Sequence, residues 1–174
     1  MGAGTGVLAR NTLNALKGTD LYKLNDQGGK DGKKFEYVIV DSSSGLIEQQ
    51  EPLLSGEPVR WVLGSAYDPN LSLEEGITGI FISNELPDAF PVHRVKKNSG
   101  TGELQEAYVT VNANGVLEEI FGPLSKKNEA GIRAYLELLG KPGAEVLDRG
   151  LEVAVNLHAL DWQKNVARCL GNGS

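Results

Sequence analysis

The sequence predicts an α/β protein, and three observations predict it. A glycine-spaced segment, Gly2-Ala3-Gly4-Thr5-Gly6, runs directly into Val7, Leu8, Leu13 and Leu16 at helical spacing. The run FEYVIV at 35–40 is apolar, β-branched and closed by Asp41, the pattern of a buried parallel strand. Beyond Pro91 the pattern changes to strict alternation, which marks antiparallel strands.

Each element follows from local chemistry. Residues 5–17 read as a helix stopped by Gly18. Residues 18–34 are polar, contain Gly28, Gly29 and Gly32, and read as a surface loop. After the FEYVIV strand, residues 43–54 form a helix whose far end is limited by Pro52. Residues 59–63 and 78–83 (TGIFIS) read as two more strands. Residues 92–95, 104–111 and 116–121 alternate, separated by the turn signals Ser99-Gly100-Thr101-Gly102 and Asn112-Ala113-Asn114-Gly115. Residues 126–139 read as a helix closed by Gly140, with Pro142-Gly143 beyond it. A last helix starts near His158 and closes at Gly171.

Composition bounds the function. With 40% hydrophobic and 23% charged residues, the 174-residue chain carries enough apolar side chains for a real core. Its 22 glycines exceed the usual share of about 7%, so many backbone positions call for positive φ or close approach. A net charge of −6 weighs against a nucleic-acid partner, which calls for a basic face. One cysteine, Cys169, excludes an internal disulfide and any multi-thiolate metal site, and His93 and His158 add little; no metal is expected. No apolar run approaches the ~18 residues of a membrane span, and no signal or transit peptide is expected.

Two constellations carry chemistry. The first is the glycine loop of Gly2, Gly4 and Gly6. Such a loop lets backbone N–H groups and a helix N-terminus approach a ligand without interference from Cβ atoms. Asp41, at the end of the next strand, is placed to accept both hydroxyls of a ribose. The second is Ser83-Asn84-Glu85-Leu86-Pro87-Asp88, directly after TGIFIS and flanked by Phe81 and Phe90. Ligands of open α/β sheets bind beyond the carboxyl ends of the strands, so this segment reads as an acidic pocket for a cationic group. It also reads as a helix N-terminus, with Asn84 as cap and Glu85 and Asp88 at the positive end of the dipole. His93 and His158 read as structural, Cys169 as a core residue, and Trp61 and Trp162 as packing residues. Lys33-Lys34 and Lys96-Lys97 read as solvated loop charges.

The string SNELPDAFPVHRV, followed by GELQEAYV, resembles the signature of the MidA-type family of S-adenosylmethionine-dependent methyltransferases. The segments GAGTGVLARN, YVIVDSSSGLIEQQ and LEVAVNLHALDWQKNVARCL are similar to that family in the same order, so the resemblance covers nearly the whole chain. It implies a Rossmann-like class I methyltransferase sheet of order 3-2-1-4-5 with a β-meander insert. It places Gly2, Gly4, Gly6, Asp41 and the adjoining Ser42 on the cofactor S-adenosylmethionine. It places Asn84 and Glu85 on the catalytic, acceptor side, where Asp88 would add negative potential. The family usually has Glu where Asp41 stands and an apolar residue where Pro87 stands. Its mitochondrial members methylate arginine in a subunit of respiratory complex I. The resemblance therefore implies a protein side chain as methyl acceptor, with a cytoplasmic location if bacterial and the mitochondrial matrix if eukaryotic.

The organisation expected on this basis is a partial cofactor-binding region over 1–91, a meander insert over 92–123 and a helical segment over 124–174. The family's first strand and N-terminal helices, and its C-terminal part, are expected to be missing. That strand would stand between FEYVIV and TGIFIS, so the isolated chain is expected to fold loosely and bind S-adenosylmethionine poorly. Two other classes remain open: a non-catalytic assembly factor that binds a protein partner, and a nicotinamide-dependent oxidoreductase. The latter would want glycine where Val7 stands.

Overall fold

The computed structural model describes residues 1–27, 32, 34–68, 71, 73 and 77–170, and shows a mixed α/β chain in two compact units. The first comprises Met1–Asp88 and Asp161–Ser174; the second comprises Ala89–Leu160.

In the first unit, helix α1 (Val7–Leu16) starts at Gly6 and buries Ala9 and Leu13. Gly18 follows at positive φ and ends it, as the sequence predicts. The polar stretch beyond is not all loop: α2 spans Asp20–Gln27. Thr19 caps it by accepting from Tyr22 N at 3.3 Å, and Tyr22 packs on Phe35 with ring centroids 5.8 Å apart. A hydroxyl cap and one half-buried aromatic thus outweigh a polar composition. Gly28, Gly29 and Lys33 lie outside the described residues.

Strand β1 (Tyr37–Asp41) pairs in parallel with β2 (Val59–Leu63), with Ile39 opposite Trp61. Between them runs α3 (Ser44–Leu53), capped by the Ser43 side chain, which accepts from Leu46 N at 3.2 Å. Pro52 stands in its last turn, where the helix is already ending. Ala9, Leu13, Ile39 and Leu54 form the core, with Tyr22, Phe35 and Trp61 packed against it.

TGIFIS does not form the expected strand. It carries no ladder; next to it stands only an isolated bridge between Ile77 and Leu170, and Ile80 is 88% exposed. An apolar run makes a strand only where neighbours pair along it. Here the segment is held near its end, where Ile82 O accepts from Met1 N at 2.8 Å.

The second unit is a four-stranded antiparallel sheet of order β5-β4-β3-β6 with a helix packed on it. Its strands are β3 (His93–Lys97), β4 (Leu104–Val111), β5 (Leu117–Pro123) and β6 (Val153–Val155). The first three are the meander expected from alternation; β6 was not foreseen, because three residues carry no period. Lys96 and Lys97 are strand residues rather than loop charges: Lys96 Nζ sits 3.4 Å from the centre of the Phe121 ring and Lys97 pairs with Asp148.

The span Glu129–Asp148 (α4) is two helical stretches, the first closed at Gly140 as the sequence predicts. Gly140 leaves helical geometry (φ 59°, ψ −143°) and the chain re-enters a helix with Pro142 in its opening turn, where a missing N–H costs little. Helix α5 (Leu157–Cys169) begins in the second unit and ends in the first. There Asn165 Nδ2 donates to Ala66 O and Asp68 O, both at 2.9 Å, and Cys169 is fully buried.

The second unit's core contains a buried carboxylate. Glu106 is 5% exposed; its oxygens accept from Ser125 N at 2.8 Å and meet His93 Nδ1 at 2.6 Å. Burial pushes its pKa up, but the bonds from Ser125 and His93 outweigh that and hold it below the ordinary carboxylate range. A depressed folded-state pKa contributes stability that is present above the unfolded value and is lost as pH falls through the folded one. The melting temperature is therefore expected to fall on acidification below about pH 4.3. Glu106→Gln is expected to cost roughly 1.5–3 kcal/mol at neutral pH and to flatten that acid limb. Thermal melts of both proteins across the acid range check this; parallel limbs would refute the role of Glu106.

Candidate cofactor and acceptor site

The glycine loop is fixed from both sides. Gly2 N donates to Val40 O, at the end of β1, at 2.9 Å, while Met1 N bonds Ile82 O. A Cβ at Gly2 would come within 2.9 Å of Leu86 Cδ1, and Gly2 has φ 67°. The loop therefore lies between the strand that ends in Asp41 and the segment that carries Asn84 and Glu85. The structure brings the two sequence constellations to the same loop.

The loop ends at Gly6, whose φ of 83° puts it in the left-handed region. A Cβ there would also lie 3.1 Å from Gln50 Cγ. Gly6 makes no side-chain cap, and the first turn of α1 holds no acidic residue, so its leading N–H groups meet no carboxylate of their own helix. Gly4 differs: no atom lies within 4 Å of the position its Cβ would take. Its face is open, and a ligand can approach the backbone there.

Asp41 is 7% exposed. Its Oδ1 accepts from Ser43 N at 3.1 Å and its Oδ2 from Gln50 Nε2 at 3.4 Å. Each carboxylate oxygen keeps a further lone pair. Ser42, beside it, is exposed.

Sequence reasoning missed Gln50 and Trp61 as site residues. Gln50 is fully buried; its Nε2 also donates to Gly4 O at 2.7 Å, and its Oε1 accepts from Trp61 Nε1 at 3.0 Å. Trp61 is therefore more than a packing residue. A glutamine on a helix carries no sequence signal of burial, and only its spacing behind Asp41 hinted at proximity.

Asn84, Glu85 and Asp88 are exposed. A short 3₁₀ helix, Leu86–Ala89, follows Asn84 and Glu85 and contains Asp88, so the segment begins one tight turn rather than an α-helix. Glu85 has φ 50°, the sole non-glycine residue with positive φ among those described. A groove of about 910 Å³ lies in the second unit, lined by Leu104, Leu124, Leu136 and Leu147. None of the glycine loop, Asp41 or residues 84–88 borders it.

The positive φ at Gly6 sets a stability test. Gly6→Ala is expected to lower unfolding free energy by about 1–3 kcal/mol, from left-handed strain and the press on Gln50. Gly4→Ala, strained but unobstructed, is expected to lose less. Urea denaturation of both variants checks the order, and equal losses would contradict the packing argument.

Comparison with known proteins assigns the frame. The crystal structure of an uncharacterized superfamily protein from Burkholderia thailandensis matches with a TM-score of 0.65 and 25% identity, covering 97% of this chain and 39% of that one. A second structure from that organism, of the same superfamily, is described as a "likely methyl transferase" bound to S-adenosyl-homocysteine. It matches with a TM-score of 0.52 and 29% identity, covering 78% of this chain and 31% of that one. The chain thus spans about two fifths or less of the length of these relatives. No curated protein matches it. The family model described as "putative S-adenosyl-L-methionine-dependent methyltransferase" matches residues 1–174, and the chain belongs to that family.

Proposed function

We propose that this chain supplies the cofactor-binding and acceptor-facing part of a Rossmann-like S-adenosylmethionine-dependent methyltransferase of the MidA type. Its acceptor is a nitrogen nucleophile, a protein arginine. The observation that carries the reading is the junction at Gly2: one glycine loop touches both the strand ending in buried Asp41 and the segment bearing Asn84 and Glu85.

The residues fit the cofactor. Gly4 offers an open backbone face, and the start of α1 offers N–H groups to a carboxylate. Asp41 offers free lone pairs to two ribose hydroxyls, and Ser42 is exposed next to it. When bound, S-adenosylmethionine supplies a methyl group on a sulfonium, an electrophile that needs no further activation.

The chain's own task is positioning and electrostatics. Glu85 and Asp88 place negative charge where a guanidinium would dock, and a carboxylate can hold it in bidentate fashion. The Asn84 side-chain oxygen can accept a hydrogen bond from the attacking nitrogen and so orient its lone pair.

Two measurements on the full natural chain test this. Calorimetric titration with S-adenosylhomocysteine is expected to show roughly 10- to 150-fold weaker binding for Asp41→Ala, as loss of charge-assisted bonds requires. Unchanged affinity would remove Asp41 from the site. Label from methyl-tritiated S-adenosylmethionine is expected in arginine of the acceptor protein. Glu85→Gln is expected to depress that turnover while leaving S-adenosylhomocysteine affinity nearly intact. Label in another residue type would overturn the arginine assignment.

A further inference from the structure

Gln50 is a buried amide whose nitrogen meets only acceptors and whose oxygen meets a donor. Its Nε2 faces two acceptors, Gly4 O at 2.7 Å and Asp41 Oδ2 at 3.4 Å. Its Oε1 faces the Trp61 indole N–H, which can only donate, at 3.0 Å. The amide therefore has one workable orientation. Flipped, it would turn its oxygen on a carboxylate and a carbonyl and its N–H₂ on an N–H. Gly6 completes the arrangement, since its missing Cβ leaves room for Gln50 Cγ at 3.1 Å.

We infer that Gln50 is a positioning residue that sets the span between the glycine loop and Asp41, and that Trp61 locks its amide in the working orientation. This rests on the reading of Gly4 and Asp41 as cofactor contacts. One nitrogen holds both, so the loop carbonyl and the carboxylate keep a fixed separation before any ligand arrives. A ligand that bridges loop and carboxylate gains from that preorganisation; a ligand that uses the carboxylate alone gains less. Gln50 itself needs no contact with the ligand. Its place on α3, behind β1, accounts for how a helix residue acts on the strand end in front of it.

The test compares S-adenosylhomocysteine, which spans both contacts, with adenosine, which lacks the amino-acid end. Gln50→Leu in the full natural chain is expected to weaken S-adenosylhomocysteine about tenfold or more, and adenosine by a clearly smaller factor. Trp61→Phe keeps the aromatic bulk and deletes the donor. It is expected to weaken S-adenosylhomocysteine about three- to tenfold with the same selectivity. Added to Gln50→Leu, it is expected to cost almost nothing more, because the amide it orients is gone. Equal losses for both ligands, additive losses, or an unaffected Trp61→Phe variant would each overturn the inference. Should Gln50→Leu fail to fold, Trp61→Phe decides alone through its ratio of the two affinities. Asp41→Ala in the same assay separates the two levels. If it binds like the wild type, the cofactor reading fails; if it loses binding while the Gln50 and Trp61 variants do not, only this inference fails.

Discussion

The hydrogen bond from Gly2 N to Val40 O is the constraint on which the first unit depends. It closes the glycine loop onto the end of a parallel strand, one residue before the carboxylate at Asp41. The positive φ at Gly2 favours glycine, and a Cβ there would also press on the flexible end of Leu86 at 2.9 Å. Because the loop is pinned there, the start of α1, the end of β1 and the segment after Ile82 share one neighbourhood. No long-range fold argument is needed to bring them together; three short contacts do it.

Much of this was legible in the sequence. The glycine spacing, the apolar strand ending in Asp41 and the alternation beyond Pro91 each carry a direct physical signature, and β1, β2, β4 and the meander follow them closely. The failures share a cause. Thr19 and Tyr22 act through a cap and a half-buried ring, and neither of these alters hydrophobic periodicity. TGIFIS fails in the opposite way: it has the composition of a strand but lacks a paired ladder. Composition proposes a strand, and only a partner makes one.

The site divides along the same line. Gly2, Gly4, Gly6, Asp41, Asn84 and Glu85 stand out because their chemistry depends on residue type at fixed spacing. Gln50 and Trp61 do not stand out, because their role is to hold other groups and arises only from three-dimensional proximity. A buried amide in a low-dielectric site is costly unless each of its groups is paired, so its complete satisfaction marks it as specified rather than incidental.

Glu85 carries the argument one step further. A side chain with a Cβ in the left-handed region costs about 1–2 kcal/mol, and Glu85 bears that cost in an exposed segment with no core of its own. Such a conformation persists only where neighbours determine it. Its neighbours in the chain are held on both sides: Ile82 by the bond from Met1 N, and Leu86 by contact with the face of Gly2. The glycine loop and the segment bearing Glu85 thus meet through Met1 and Leu86, on either side of the residue with positive φ.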